Sequence, residues 1–277
     1  MKIGVIGTGN MGTILIESLL AAGACAPEDF TIMNRTRAKA DSLQERFPGI
    51  TVAESEESTA MRAELLFVCV KPLDIHEVLL RIKPQLGSGK CLVSITSPIS
   101  PAQLESVMDC SCARLIPSIT NRALSGVSLV SFGEQCKTAW KETILTLAGR
   151  ISRPIAIPNE VTRAASDIVS CGPAFFSYLA RRFIEGACSA STIDKETATI
   201  LTENMLIGLG DLLKKGFYSL PALEEKVCVK GGITGEGINV MEKELGDVFT
   251  HLFEATHNKF SHELEKTEEQ YKLPYFL

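Results

Sequence analysis

The sequence predicts an α/β fold in which an N-terminal Rossmann-type dinucleotide-binding domain is followed by an all-helical C-terminal domain. Three observations support this fold class. Short apolar runs alternate with helical patterns up to residue 157, a glycine-rich turn follows the first run, and only helical periodicity continues after Pro158. We therefore expect residues 1–157 to form the dinucleotide-binding domain and residues 158–277 to form the helical domain.

The strands and helices of the first domain alternate in chain order. Runs without polar alternation predict five strands of a sheet buried on both faces: Ile3–Ile6, Phe30–Met33, Leu65–Val70, Cys91–Ile95 and Ala113–Ile116. Amphipathic stretches between them predict four helices: Met11–Ala22, Ala38–Arg46, Leu73–Lys83 and Pro101–Met108. This alternation favours parallel strand pairing with right-handed crossovers.

The remaining elements follow from the same patterns. The segment "GVSLVSFG" predicts another strand, "TAWKETILTLAGR" a helix that ends at Gly149, and "ISRPIAIP" a last strand. Beyond Pro158 the periodicity is helical, and Pro173 is expected to kink or break the first of these helices. Because the helices have broad apolar faces, we expect a homodimer or higher homo-oligomer formed through this half of the chain.

Composition excludes several classes of function. A net charge of −5 and a pI of about 5.5 do not favour a nucleic-acid partner, which needs a basic face. No long uncharged apolar stretch predicts a membrane span. Nine scattered cysteines and a first segment that reads as a strand predict reduced thiols and a cytoplasmic location. Cys110 and Cys112 lack a second pair, and the histidines lack ligand spacing, so no metal site is expected.

The first apolar run ends in a glycine fingerprint. Gly7, Gly9 and Gly12 have the G-x-G-x-x-G spacing between a predicted strand and a predicted helix. In a dinucleotide site the first glycine allows a tight turn, the second leaves room for the pyrophosphate and the third lets the helix pack closely. We expect the whole turn, which adds Thr8, Asn10 and Met11, to bind a cofactor. The alternative is a purely structural turn.

The end of the second strand predicts which dinucleotide binds. Enzymes that use NAD usually carry an acid about 20 residues after the glycines, which binds the ribose hydroxyls. This chain instead has Asn34, Arg35 and Thr36, followed by Arg37. Arginine can bind a 2′-phosphate through paired charge-assisted hydrogen bonds, so NADP(H) is predicted. The alternative is that both arginines face water at the start of a helix.

A third candidate segment follows the strand that begins at Leu65. Val70, Lys71 and Pro72 lie at the carboxyl end of this strand, where open α/β sheets bind ligands. Lys71 is predicted to face the cofactor or the substrate, or equally to cap the strand in solvent.

Together these stretches resemble the pyrroline-5-carboxylate reductase family, which completes proline synthesis. The resemblance rests on "IGVIGTGNMG", "NRT", "FVCVKP", "SCGPAFFSYLARRFIEGA" and "KGGITGEGI", and it covers nearly the whole chain. It implies that Gly231, Gly232 and Thr234 hold the substrate carboxylate, as a nest of backbone N–H groups with a hydroxyl can do. It also implies catalytic roles for Thr234 and, near the nicotinamide, for Lys71. A simple helix–helix turn is the alternative for the glycine pair.

Three loops depart from the family pattern. Val229 and Lys230 replace a Ser-Pro pair before the glycines, and "SITSPIS" replaces an Ala-Gly turn. The run Pro117-Ser118-Ile119-Thr120 replaces Pro-Asn-Thr-Pro. These changes resemble a divergent late-competence branch of the same family.

The resemblance predicts an NADPH-dependent reductase that transfers hydride to the C=N carbon of a small cyclic imino acid. Two alternatives stay open. One is a regulatory protein that binds NADPH without turnover. The other is an enzyme with a different substrate, such as another imine, a β-hydroxy acid or a deazaflavin-linked acceptor. A β-hydroxy acid is disfavoured because no lysine precedes Arg181 in the "SCGPAFFSYL" helix.

Overall fold

The computed structural model describes residues 1–275 and confirms the predicted fold class. Eight strands form one sheet: β1 (Ile3–Ile6), β2 (Phe30–Met33), β3 (Thr51–Val52), β4 (Leu65–Val68), β5 (Cys91–Ser94), β6 (Ser111–Ile116), β7 (Val127–Phe132) and β8 (Arg153–Ala156). Their spatial order is β3-β2-β1-β4-β5-β6-β7-β8. Every neighbouring pair is parallel except β6 and β7.

The described residues also form twelve α-helices. They are α1 (Asn10–Ala21), α2 (Arg37–Arg46), α3 (Glu56–Arg62), α4 (Pro72–Ile82), α5 (Pro101–Val107), α6 (Thr138–Ile151), α7 (Thr162–Ser166), α8 (Gly172–Ala190), α9 (Lys195–Lys214), α10 (Leu220–Val227), α11 (Ile233–Leu245) and α12 (Val248–Tyr271). No strand follows β8 in the part of the chain that the structure describes. Within the same residues, no helix has the length and apolar character needed to cross a membrane.

The sheet is buried on both faces, as the uninterrupted apolar runs predicted. Side chains of one strand alternate between two hydrophobic clusters, because successive residues of a strand point to opposite faces. On β1, Ile3 and Val5 join the cluster under α1, α2 and α6, whereas Ile6 joins the cluster under α3, α4 and α5. Parallel strands covered by helices on both faces bring their carboxyl ends to one edge of the sheet.

Several bounds differ from those predicted. The strand predicted for Leu65–Val70 ends at Val68, because Cys69 and Val70 already belong to the turn before α4. Strand β3 has only two residues and therefore carries no periodicity that sequence reasoning could find. The helical run continues from α7 through a π-helical turn, Asp167–Cys171, into α8, so Pro173, the second residue of α8, does not break it.

The contacts divide the chain into two compact units. The first contains Met1–Pro173 together with the stretch that starts at Ala255, and the second is Ala174–Glu254. The last part of α12 belongs to the first unit because Phe260, Leu264 and Tyr271 are buried there. The division between these units falls after Pro173 and after Glu254, whereas local sequence patterns predict a boundary after residue 157.

Candidate functional site

The glycine turn after β1 has the geometry of a dinucleotide fingerprint. Gly7 has a φ of +100°, a left-handed conformation that favours glycine, and a Cβ there would collide with the Cys69 carbonyl. A Cβ on Gly12 would overlap the Gly7 carbonyl oxygen, so α1 can pack against the turn only with glycine at this position. A Cβ on Gly9 would meet no atom within 4 Å. The fold requires Gly7 and Gly12, while the space at Gly9 is left open for a ligand.

A hydrogen-bonded bridge joins this turn to the end of β2. The Thr8 backbone N–H donates to Asn34 Oδ1 at 2.9 Å, and Asn34 Nδ2 donates to the Thr36 carbonyl at 2.9 Å. The Thr8 hydroxyl is buried and has no hydrogen-bond partner within residues 1–275. A buried polar atom without a partner is costly, and a ligand oxygen in the turn would satisfy it.

A cleft of about 560 Å³ opens at the carboxyl edge of the sheet. Predicted cofactor residues from three separate chain segments line it: Gly7, Gly9, Asn34, Arg35, Thr36, Val70 and Lys71. The other predicted cofactor residues lie beside them, with Thr8 in the turn, Asn10, Met11 and Gly12 opening α1, and Pro72 opening α4. The ends of β1, β2 and β4 thus meet at the position where α/β sheets of this kind bind dinucleotides.

The structure distinguishes between the two arginines after β2. Arg35 lines the cleft, and no hydrogen bond or ion pair engages its side chain among residues 1–275. Arg37 instead pairs with Glu54 at 2.6 Å and with Asp41 at 3.5 Å. Lys39 also lines the cleft, and its ammonium group is likewise unengaged in the described chain. Sequence reasoning missed Lys39, although it lies only four residues after Arg35.

Part of the cleft lining is acidic. Glu54, Glu56 and Glu77 line it, and Arg81 pairs with Glu56 at 2.9 Å and with Glu77 at 3.7 Å. Burial raises the pKa of the Glu56 carboxyl. A phosphate group is therefore favoured on the side of Arg35 and opposed on the acidic side. Glu54 and Glu56 come directly after the short strand β3, which the sequence pattern did not reveal.

Lys71 lies at the N-terminus of α4 and lines the cleft, so it is within the candidate site. Its neighbour Cys69 also lines the cleft, and burial raises the pKa of this thiol far above its ordinary value. Cys69 therefore stays protonated and is not a nucleophile. Lys71 is the charged group of this strand end that can contact a ligand.

The loop after β6, which departs from the family pattern, is fixed by hydrogen bonds to the π-helical turn. The Ser118 hydroxyl donates to the Val169 carbonyl at 2.7 Å, and the Ser170 hydroxyl donates to the Pro117 carbonyl at 3.0 Å. The Ser118 backbone N–H donates to Asn121 Oδ1 at 2.8 Å. Ser118 is fully buried, so its polar groups serve the structure of the loop.

The π-helical turn has a buried carboxylate that sequence reasoning missed. Asp167 is fully buried, pairs with Arg163 at 2.7 Å and accepts a hydrogen bond from the Thr256 hydroxyl at 2.7 Å. The contact with Thr256 joins residues 89 positions apart, so no local pattern could indicate it. A buried carboxylate is tolerated only with such partners.

The predicted substrate residues lie in the second compact unit. Gly231 has a φ of +75°, and Gly232 precedes α11 and donates its N–H to the Val229 carbonyl at 2.9 Å. Thr234 is the second residue of α11 and is exposed. The compact unit that contains the cleft does not include these residues, so their role stays a prediction. Within residues 1–275, no group of three metal-ligating side chains is close enough to hold a metal ion.

The fold and the cleft define a Rossmann-type protein with a dinucleotide site and a helical C-terminal region. Residues 2–98, which form the cleft, match the family described as "NADP oxidoreductase coenzyme F420-dependent". This match and the unengaged cations beside Asn34 confirm the prediction of NADP(H) as cofactor. Residues 159–263 match the family described as "Pyrroline-5-carboxylate reductase dimerisation".

Full-length relatives identify the family. ComE operon protein 4 of Bacillus subtilis is 50% identical over 98% of this chain and 99% of its own length. Pyrroline-5-carboxylate reductase 3 of the same organism is 30% identical over 94% of this chain and 95% of its own. The chain belongs to the pyrroline-5-carboxylate reductase family of oxidoreductases. Within this family it falls with ComE operon protein 4 in the divergent late-competence branch, called ComER. The fold agrees with that of Plasmodium falciparum pyrroline carboxylate reductase with NADP bound, at a TM-score of 0.80, 20% identity and 98% coverage of both chains.

Proposed function

We propose that the protein is an NADPH-dependent reductase that transfers hydride to the C=N carbon of a small cyclic imino acid such as pyrroline-5-carboxylate. The observation that carries this proposal is the cleft, where open space at Gly9 lies beside the unengaged side chains of Arg35 and Lys39. Membership of the family and the 30% identical relative named as a pyrroline-5-carboxylate reductase support the reaction class.

Three sets of residues in the cleft each have a role in this reaction. The pyrophosphate binds at the open space beside Gly9, where the first-turn backbone N–H groups of α1 and the unpartnered Thr8 hydroxyl are the donors, while Gly7 shapes the turn. Arg35 and Lys39 bind the 2′-phosphate by charge-assisted hydrogen bonds. NADPH supplies the hydride when it is bound. Lys71 lies on the wall of the cleft and orients the bound molecules, which lowers the entropic part of the barrier.

The substrate carboxylate is assigned to the segment that precedes α11. The Gly231 backbone N–H and the Thr234 hydroxyl form a donor set suited to a carboxylate, and Gly232, whose N–H is engaged by the Val229 carbonyl, shapes the turn between them. A cyclic imine is readily protonated in water, so the reaction needs no dedicated acid from the protein. Replacement of Thr234 by Ala should lower kcat/KM for the imino acid about tenfold while the Kd for NADPH stays unchanged. Thr234→Ser should restore most of the loss, and an unchanged kcat/KM in Thr234→Ala would remove Thr234 from this role.

A regulatory protein that binds NADPH without turnover is the second candidate. The observation that favours it is the loop after β6, whose Ser118 and Asn121 are engaged in the protein's own hydrogen bonds. The 50% identical relative is named for an operon and not for a reaction. Changed loops with a retained cofactor cleft would also suit a reductase of another imine.

The second compact unit supports a homodimer. Many large apolar side chains of this unit are exposed, among them Phe176, Phe183, Ile207, Phe217 and Ile233. Contiguous exposed apolar surface favours association, and residues 159–263 match a dimerisation family. We place the protein in the cytoplasm, where nine cysteines would stay reduced.

The experiment that tests the reaction is the loss of NADPH absorbance on addition of pyrroline-5-carboxylate to the purified protein, with NADH in parallel. Rapid loss with NADPH and slower loss with NADH would support the reductase. Tight binding of NADPH with no oxidation by any cyclic imine would overturn it in favour of the regulatory candidate.

A further inference from the structure

The loop after β5 forms hydrogen bonds with the C-terminal segment of the chain. Strand β5 pairs with β4, so residues 95–99 follow it at the same carboxyl edge of the sheet as Val70 and Lys71. In the proposed site, the glycine turn after β1 and Arg35 after β2, which line the cleft, would hold the adenosine half of the cofactor. The other half of a dinucleotide then extends towards β4 and β5. The loop after β5 therefore belongs to the reacting side of the proposed site.

Successive carbonyl groups of this loop point into the protein and are bound there. The Tyr275 hydroxyl donates to the Ser97 carbonyl at 2.8 Å, and the Thr267 hydroxyl lies 3.2 Å from the Pro98 carbonyl and 2.9 Å from the Leu264 carbonyl, which share its one proton. Arg114 Nη1 donates to the Ser97 carbonyl at 3.0 Å and also reaches the Ile99 carbonyl at 3.4 Å. Three consecutive peptide groups are thus fixed by side chains that lie far from them in sequence.

Arg114 completes this arrangement as a fully buried cation on β6. Its Nη1 donates to the Tyr275 hydroxyl at 2.6 Å, and its Nη2 donates to the Thr162 hydroxyl at 2.7 Å and the Ser131 hydroxyl at 3.1 Å. All these acceptors are neutral oxygen atoms of described residues. Hydrogen bonds from a charged donor are about twice as strong as neutral ones, so Arg114 fixes Tyr275 and the loop firmly.

The C-terminal segment is itself anchored. Gln103 Nε2 donates to the Leu273 carbonyl at 3.0 Å, and the Tyr275 backbone N–H donates to Glu268 at 2.7 Å. Asn159 Nδ2 donates to the Tyr275 carbonyl. The Tyr275 ring is 1% exposed and packs edge-on against Phe260 at 5.8 Å. The hydroxyl that reaches Ser97 therefore has one defined position.

We infer that Tyr275, with Arg114 and Thr267, positions the loop after β5 for the nicotinamide half of the cofactor. Tyr275 is assigned as a positioning residue because its hydroxyl contacts the loop at Ser97 and the buried Arg114. Pro98 lacks a backbone N–H, so the Ser97–Pro98 peptide can be held only through the Ser97 carbonyl, to which both Tyr275 and Arg114 donate. This inference rests on the proposed NADPH site, but not on the identity of the imine.

The test compares two buried tyrosines near the end of the chain. Tyr275→Phe removes only the hydroxyl that donates to Ser97. Tyr271→Phe is the matched control, because the Tyr271 hydroxyl is buried without a hydrogen-bond partner in the described structure. Thr267→Val, which removes the donor to Pro98, is a second variant of the same kind.

Three quantities separate positioning from stability: the Kd for NADPH, the fluorescence of the reduced nicotinamide in the complex, and kcat. In Tyr275→Phe we expect a Kd within about twofold of wild type, since the phosphate-binding groups are remote. We expect the nicotinamide emission to shift towards that of free NADPH and kcat to fall on the order of tenfold. Thr267→Val should change the same quantities in the same direction, and Tyr271→Phe should match wild type.

The inference is overturned if Tyr275→Phe matches Tyr271→Phe in emission and kcat, or if it lowers only the melting temperature. Should the wild-type protein bind NADPH but reduce no imine, the proposed reaction fails. The emission of bound NADPH then still decides whether Tyr275 positions the loop.

Discussion

The two halves of the candidate site are built differently. On the adenosine side, the space at Gly9 is empty and the side chains of Arg35 and Lys39 are unengaged among the described residues. On the side of β5 and β6, Ser118 and Arg114 are buried, and their polar groups bind other parts of the protein. The first half keeps polar groups for a ligand, whereas the second uses them to fix its own loops.

This difference separates cofactor binding from substrate choice. A site that keeps open donors retains its ligand when distant loops change, which agrees with the retained G-x-G-x-x-G spacing. A loop whose polar groups are internally satisfied contributes shape and rigidity. Substrate selectivity would then depend on the predicted substrate segment at the start of α11, where Lys230 and Thr234 are exposed.

The largest effect is expected on the reacting side and should be structural. Asp167→Ala removes the buried carboxylate that pairs with Arg163 and accepts a hydrogen bond from the Thr256 hydroxyl. The free energy of unfolding should fall by about 3 kcal/mol, measured by chemical denaturation. Glu263→Ala is the control, since its pair with Lys259 is exposed and worth less than about 0.5 kcal/mol. A loss below 1 kcal/mol in Asp167→Ala would mean that the π-helical turn does not depend on this carboxylate.

Replacement of Gly9 should weaken NADPH binding and leave the stability of the protein nearly unchanged. Gly9→Val fills the space for the pyrophosphate, so the Kd for NADPH should rise roughly 100-fold, or about 2.7 kcal/mol. The added Cβ meets no protein atom within 4 Å. Thermal unfolding without cofactor should be nearly unchanged. Gly89→Val, also with open space at its Cβ but outside the cleft, should leave the Kd unaltered. NADPH binding that survived Gly9→Val would place the pyrophosphate elsewhere.

The smallest of these effects separates the two arginines after β2. Arg35→Ala should weaken NADPH binding roughly 30-fold, or about 2 kcal/mol, because the 2′-phosphate loses charge-assisted hydrogen bonds. NADH binding, which involves no 2′-phosphate, should change little. Arg37→Ala should affect neither, since Arg37 is engaged with Glu54 and Asp41. Calorimetric titration of both cofactors checks this, and equal losses for the two arginines would contradict the assignment.

Local pattern was sufficient to predict the cofactor turn and every strand of the sheet except the two-residue β3. The roles of Gly7, Gly9 and Gly12 follow from spacing alone, because a glycine is required wherever a side chain would meet backbone or ligand. Continuous apolar runs located β1 and β2 to the residue. Such features depend on neighbours in the chain, which the sequence displays directly.

Features that depend on distant residues could not be predicted. Tyr275 and Arg114 are 161 positions apart, and the Tyr275 hydroxyl reaches Ser97 across 178. The engagement of Arg37 by Glu54 distinguishes it from Arg35, yet both arginines have the same sequence context. The partners of Asp167 likewise come from two helices. Only the packed structure brings these groups together.

The central claim is that the adenosine half of the site is built for NADP(H). Its most direct test is calorimetric titration of the wild-type protein with NADPH and with NADH under the same conditions. We predict at least tenfold tighter binding of NADPH, because Arg35 and Lys39 are available for the 2′-phosphate. Equal affinity for the two cofactors would contradict the claim and leave these two cations without a role in cofactor choice.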